Sequence, residues 1–96
     1  MGTSDTAATE RAWLEAVGER LGALTGGPAM EAPNDAEVRS LLRVTKITAD
    51  VTGVRYLAPL TAYLLGRAAG RDEGFDLKPA VEEISRLAEG WVRPEG

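Results

Sequence analysis

The sequence contains no cysteine and no histidine among its 96 residues. Disulfides, thiolate chemistry, histidine general bases and the usual zinc sites are therefore excluded. Aromatic residues are also scarce, at 5% of the chain, whereas alanine is its most common residue and leucine is abundant. This balance favours packed helices over β-sheet. Because apolar residues still make up 44% of the chain, we expect one small folded domain rather than a disordered protein.

The sequence also lacks any long apolar run and any strong charge asymmetry. No segment approaches the roughly 20 apolar residues that span a bilayer, and the first residues lack the basic region of a signal peptide. The net charge of −4 is spread over both halves, which disfavours nucleic-acid binding. We therefore expect a cytoplasmic protein that binds neither membranes nor nucleic acid. No metal-binding spacing is present either, so we expect no metal and no cofactor.

Apolar residues recur at helical spacing in four segments, at about 9–24, 35–52, 58–70 and 76–91. Because short loops join these segments, we predict an all-α, antiparallel four-helix bundle formed by residues 9–92. Residues 1–8 are predicted to be a disordered N-terminal tail, and residues 93–96 a frayed C-terminal tail. The Gly- and Pro-containing stretch 25–33 is predicted to be a surface loop.

Local signals mark the start of two helices and leave one alternative open. Asn34, followed three residues later by Glu37, fits a capping box before the second helix, and Asp76 is expected to cap the fourth. The β-branched residues of the second helix also allow a strand at 44–48. We predict a helix there, because two apolar rows at helical spacing run through the same stretch.

The third predicted helix is apolar nearly all round, so we expect it to be central and buried, with the other three helices packed around it. Small residues recur along it at intervals of four, at Ala62, Gly66 and Gly70. One interpretation is that another helix of the same chain packs closely there. The other is that these residues, together with Tyr63, form an interface with a second copy or a partner.

Candidates for catalysis are weak. The adjacent carboxylates Asp72-Glu73 and Glu82-Glu83 fall on a turn and a polar face, whereas general acid–base catalysis needs a carboxyl group in a cleft. An acyl-carrier role would need a serine at the start of the second helix, but Ser40 lies inside that helix. We therefore predict that the protein is not an enzyme.

One segment is basic within an acidic chain. Residues 43–71 carry five bases and a single acid, Asp50. Because the N-terminus of the third helix favours anions, an anion or an acidic partner side chain has a candidate site there. The candidate residues are Arg43, Lys46, Arg55, Tyr56 and Thr61. The alternative is that these charges simply solvate exposed helix faces.

The segment from Leu57 to Gly70 reads Leu-Ala-Pro-Leu-Thr-Ala-Tyr-Leu-Leu-Gly-Arg-Ala-Ala-Gly. With Trp13-Leu14 before it and the helix ending at Trp91 after it, the chain resembles a bacterial family of small helical domains of unknown function. Members of that family occur alone or fused to molybdenum-cofactor guanylyltransferases. Family members often carry a histidine just before this motif, and this chain has none. Because the transferase's Gly-rich nucleotide loop is also missing, the resemblance implies association with cofactor maturation rather than nucleotidyl transfer.

Two functional hypotheses follow. The first is a non-catalytic accessory or interaction module, linked to molybdenum-cofactor biosynthesis through a protein partner, such as a cofactor-maturation enzyme, or through a phosphate-bearing ligand. The second is a structural homodimer, formed through the second and third helices, with no ligand. A small enzyme is the least favoured class, because it would need a carboxylate or tyrosine mechanism that no motif indicates.

Overall fold

A computed structural model describes the backbone of residues 3–94 and the side chains of residues 6–94. Its four helices are α1 (Thr3–Thr25), α2 (Asp35–Thr52), α3 (Leu57–Arg71) and α4 (Leu77–Glu89). No strand occurs in residues 3–94, so the all-α class and the four helices are confirmed. The stretch 44–48 lies within α2 and is helical.

The predicted helix boundaries differ most for α1. This helix begins at Thr3 rather than near Thr9, so it starts within the segment that was predicted to be a disordered tail. Ala7 and Ala8 have high helix propensity, and no glycine or proline interrupts the chain between Thr3 and Gly18. The predicted start near Thr9 therefore missed residues 3–8, the first six residues of the helix.

The chain divides into two compact units, Met1–Asn34 and Asp35–Gly96. In the first unit, α1 ends in a Schellman motif around Gly26, which has a φ of 73°. The Gly27 N–H donates to the Gly22 carbonyl at 3.0 Å, and the Gly26 N–H donates to the Ala23 carbonyl at 3.3 Å. These two bonds satisfy carbonyls that the helix end would otherwise leave unpaired.

The loop after this motif folds back along α1. The Met30 N–H donates to the Gly18 carbonyl at 2.9 Å, and both Gly18 and Gly22 are buried. A Cβ atom at Gly18 would overlap the Met30 carbonyl oxygen, and one at Gly22 would overlap the Pro28 carbonyl oxygen. Because these two glycines, spaced by four, have no side chains, the backbone of residues 28–30 packs directly against the backbone of α1.

In the second unit, α2 is the helix against which both α3 and α4 pack, while α3 and α4 touch each other over a small area. One buried side chain from each helix meets at the centre: Val44, Leu65 and Val81. Partly buried apolar residues surround these three. They are Leu41, Phe75, Leu77, Ala80 and Ile84.

Two termini in this unit are held by specific hydrogen bonds. Asp76 is the N-cap of α4, as predicted, and its carboxylate accepts from the Lys78 N–H at 3.2 Å. At the end of α2, Gly53 has a φ of 72°, and the Arg93 guanidinium lies against it. Arg93 Nε also donates to the Val51 carbonyl at 3.2 Å. Residues 95 and 96 of the predicted frayed tail lie outside the described residues.

The expectation that α3 is a central, buried helix is wrong. Leu65 is 6% exposed, but its neighbour Leu64 is 60% exposed and Leu60 is 52% exposed. Within the unit Asp35–Gly96, α2 and α4 pack against one side of α3 and leave the other side in water. Only the row that contains Leu65 is therefore a core row.

This asymmetry predicts different costs for truncating two adjacent leucines. We expect Leu65→Ala to lower the free energy of unfolding by about 2–4 kcal/mol, because it leaves a cavity beside Val44 and Val81. We expect Leu64→Ala to change it by no more than about 0.5 kcal/mol. Urea denaturation followed by circular dichroism measures both. Equal destabilisation by the two variants would contradict the packing described here.

Two helical glycines should respond in opposite ways to the same substitution. Gly18→Ala is expected to detach residues 28–30 from α1, because the new methyl group would overlap the Met30 carbonyl. Gly66 has nothing within 4 Å of its Cβ position, so Gly66→Ala is expected to stabilise α3 by about 0.5–1 kcal/mol. Hydrogen exchange of the Met30 amide tests the first, and urea denaturation the second. Unchanged protection of the Met30 amide in Gly18→Ala would contradict the close packing of residues 28–30 against α1.

Candidate functional site

The second unit contains a groove that is lined by residues of α2, α3 and α4. Its volume is about 350 Å³, which lies at the lower end of the range for ligand pockets. All three helices contribute to it, together with one residue that follows α4. The lining residues are Ile47, Thr48, Val51, Thr52, Thr61, Leu64, Leu65, Ile84, Leu87, Ala88 and Trp91. We refer to it as the apolar groove.

The hydroxyls among the lining residues belong to three threonines, and each donates to a carbonyl of its own helix. Thr48 Oγ1 donates to the Val44 carbonyl at 2.8 Å, and Thr52 Oγ1 donates to the Thr48 carbonyl at 2.7 Å. Thr61 Oγ1 donates to the Leu57 carbonyl at 2.9 Å. Among the described residues, no charged side chain lines the groove, and the indole N–H of Trp91 is a further polar group in the lining. The site is therefore suited mainly to apolar side chains, and its lining contains no carboxylate or other side chain for proton transfer near neutral pH.

Large apolar side chains at the edges of the groove are left in water. Leu64 on α3 is 60% exposed, Leu87 on α4 is 61% exposed, and Trp91 is 43% exposed. Their burial by a bound partner would remove apolar surface from water, which is the main driving force for association. Sequence reasoning assigned all three to the core of a bundle. It did not predict that they border an open site.

The predicted anion site at the start of α3 has no free backbone donor among the first three residues of the helix. The Leu57 N–H donates to the Val54 carbonyl at 3.2 Å, and the Ala58 N–H donates to the Arg55 carbonyl at 3.1 Å. The third residue is Pro59, which has no N–H. Tyr56 occupies the N-cap position and makes no side-chain cap hydrogen bond. An anion here would therefore depend on side chains such as Arg55 alone.

The other two candidate residues of that site lie on α2. Lys46 Nζ is 2.7 Å from Asp50 Oδ2 in an exposed ion pair. The hydrogen bond to Asp50, and then the charge of that carboxylate, raise the pKa of Lys46 above its ordinary value. Arg43 borders a neighbouring depression between α2 and α4, together with Asp50 and Glu89, and this depression shares lining residues with the apolar groove. Thr61 lines the apolar groove instead, so the five candidates are spread over different surfaces.

The predicted interface residues lie mostly on the outer side of α3. Tyr63 is 63% exposed, and the Arg67 guanidinium lies 5.5 Å from the centre of its ring. Gly66 and Gly70 are exposed, with nothing within 4 Å of either Cβ position. Ala62 is half-buried at the edge of this side. The interpretation that another helix of the same chain packs on these glycines is therefore wrong.

Two further properties of the described residues bear on function. In residues 3–94, no group of three or more acidic side chains is placed to hold a metal ion. None of the four described helices combines the length and the apolar composition that crossing a membrane requires.

Comparison with known proteins identifies a family but no characterised relative. A family model described as a domain of unknown function (DUF6457) matches residues 5–96. Since this match covers nearly the whole sequence, the chain belongs to that family. No curated protein and no solved structure matches the chain.

Proposed function

We propose that this member of the DUF6457 family is a non-catalytic, cytoplasmic interaction module that binds an amphipathic helix of a protein partner in the apolar groove. The observation that carries the proposal is a groove bordered by exposed leucines in which each threonine hydroxyl already donates to a carbonyl of its own helix. A groove of this kind matches the helix-in-groove mode of recognition, in which an apolar helix face enters an apolar cleft between helices.

The position of the carboxylates supports a non-catalytic role. The pairs Asp72-Glu73 and Glu82-Glu83 are exposed, and none of the four residues lines the apolar groove. General acid–base catalysis needs a cleft that positions the carboxyl group against a substrate, and an exposed turn or helix face provides no such cleft. A binding role uses the groove as it stands and needs no such group.

For the partner, we propose an enzyme of molybdenum-cofactor maturation, in particular a molybdenum-cofactor guanylyltransferase. The support is the resemblance of Leu57 to Gly70, with the flanking Trp13-Leu14 and Trp91, to domains found alone or fused to such enzymes. The version with a phosphate-bearing ligand has weaker support, because the Leu57 and Ala58 amides at the start of α3 are already hydrogen bonded.

A second candidate function is a structural homodimer formed through α2 and α3. It is favoured by the outer side of α3, where the exposed Tyr63 lies beside the open positions at Gly66 and Gly70. Glycines spaced by four let two helix backbones approach closely. This surface is distinct from the lining of the apolar groove, so the two candidate functions can be tested separately.

The groove can be tested with two leucines of nearly equal exposure. Leu64 lines the groove and is 60% exposed, whereas Leu42 on α2 is 64% exposed and lies outside the groove. We expect a purified molybdenum-cofactor guanylyltransferase to bind the full chain at micromolar concentration in isothermal titration calorimetry. We expect Leu64→Gln to weaken this binding by about tenfold, because it places a polar group where apolar burial drives association.

The matched control is Leu42→Gln, which we expect to bind within about twofold of the unmodified chain. Circular dichroism of both variants checks that each remains folded. Equal weakening by the two substitutions would place the contact outside the groove. No heat of binding from any of the three proteins would reject the guanylyltransferase as the partner.

The homodimer predicts a concentration-dependent mass in sedimentation equilibrium, with a dimer of about twice 10.2 kDa at micromolar concentration. Gly66→Leu should shift this equilibrium to monomer, because the larger side chain would prevent close approach of two α3 helices. The substitution faces open space within the chain, so it should leave helix content unchanged. A monomer for the unmodified chain at all concentrations would eliminate this candidate.

A further inference from the structure

Arg93 follows α4 and does not line the apolar groove. We infer that Arg93, by binding the C-terminal end of α2, holds Trp91 in place as part of the groove wall. Arg93 is thus a positioning residue, which controls through Trp91 how tightly the groove binds a partner helix. This inference rests on the proposed function and names a regulation of the same site.

The C-terminal end of α2 has no positive charge of its own, since its last turn contains no basic residue. A helix C-terminus carries partial negative charge and carbonyls without helical partners. Arg93 compensates for both from 42 residues further along the chain, because its Nε donates to the Val51 carbonyl at 3.2 Å. The positive charge of Arg93 therefore lies at the negative end of the helix.

Gly53, which follows the last residue of α2, gives the guanidinium of Arg93 its space. A Cβ atom at position 53 would lie 3.1 Å from both Cζ and Nη1 of Arg93, closer than packed atoms normally approach. The positive φ of Gly53 also favours glycine there. The contact of Arg93 with α2 thus involves both a hydrogen bond and close packing.

Trp91 lines the apolar groove and stands two residues before Arg93. Gly90 is the C-cap of α4, and no regular secondary structure follows it as far as Pro94. The Trp91 N–H donates to the Ala88 carbonyl at 3.2 Å, and Pro94 favours extended backbone at Arg93. Trp91 therefore lies between two attachments, one to the end of α4 and one, through Arg93, to α2.

The Arg93 contact lies at the groove itself. Val51, whose carbonyl accepts from Arg93, also contributes to the groove lining. Thr52 and Ala88 line the groove as well. Because the hydrogen bond of Arg93 is exposed, and exposed contacts at a helix end are weak, releasing Trp91 requires little free energy. Ionic strength or a partner can therefore shift the position of Trp91 without unfolding the helices.

A fixed Trp91 should favour binding of a partner helix. Tryptophan is enriched among the residues that dominate affinity at interfaces, and Trp91 is 43% exposed, so a partner still has surface to cover. A side chain that is already in place loses less conformational entropy when the partner binds. Release of Trp91 would add an ordering step to binding and so weaken the complex.

Fluorescence tests the positioning of Trp91 in the absence of any partner. In a Trp13→Phe background Trp91 is the only tryptophan of the chain, and acrylamide quenching reports its exposure. We expect Arg93→Ala to raise the quenching constant about twofold, as Trp91 goes from 43% exposed toward full exposure. Arg93→Lys should raise it less, because lysine keeps a positive charge and a donor at the end of α2.

The matched control is Arg39→Ala, which removes an exposed arginine of α2 that does not line the groove. It should leave the quenching constant unchanged, and circular dichroism checks that every variant keeps its helix content. NaCl at about 0.5 M should raise quenching in the Trp13→Phe chain but not after Arg93→Ala, since salt screens the charge of Arg93. Equal quenching constants after Arg93→Ala and Arg39→Ala would overturn the inference.

A double-mutant cycle tests whether Arg93 acts through Trp91. Binding of a purified molybdenum-cofactor guanylyltransferase is measured by isothermal titration calorimetry. We expect Arg93→Ala to weaken binding about fivefold in the unmodified chain and to have little effect in Trp91→Ala, where no indole is left to position. Equal weakening in both backgrounds would mean that Arg93 acts independently of Trp91, and the inference would fail.

These experiments separate a failure of the inference from a failure of the proposed function. If the unmodified chain binds no guanylyltransferase, that partner is rejected, and the quenching measurements alone decide whether Arg93 positions Trp91. If the unmodified chain binds and Leu64→Gln weakens binding, but Arg93→Ala changes neither quenching nor affinity, the groove remains the binding site and the role of Arg93 is rejected.

Discussion

The second unit depends on one contact, the meeting of Val44, Leu65 and Val81 at the centre of three helices. Val44 is fully buried and Val81 is 1% exposed, so α2 holds α3 and α4 through a small number of side chains. The apolar groove adjoins this centre, because Leu65 belongs both to the central contact and to the groove lining.

The arrangement around α2 explains which parts of the fold the sequence predicts well. The bounds of α2 and the cap at Asp76 follow from local chemistry, namely a turn glycine and a short acidic side chain. The burial of α3 could not be predicted in the same way. A helix that is apolar all round indicates several apolar neighbours, but it does not indicate whether they belong to the same chain. The two apolar rows of α2 predicted the packing better, because a helix that lies between two other helices needs an apolar row toward each of them.

The candidate sites show the same limit of sequence reasoning. A basic residue before a helix start indicates an anion site only if the first amides of the helix are free, and here Val54 and Arg55 supply carbonyls to two of them. Spacing in the sequence does not reveal where those carbonyls point. The groove was missed for the opposite reason. Leu64, Leu87 and Trp91 are typical core residues by type and spacing, and only their exposure in the folded chain distinguishes them from the core.

The contrast between the glycines of α1 and those of α3 has a consequence for how this family evolves. At Gly18 and Gly22 the fold itself selects for glycine, because backbone atoms of the same molecule occupy the space that a methyl group would fill. At Gly66 and Gly70 the fold exerts no such selection. Alanine, which is the better helix former, should therefore replace glycine at these positions over time. If glycine nevertheless persists at those two positions in related proteins, it would indicate that another molecule, either a second copy or a different protein, packs against α3 there.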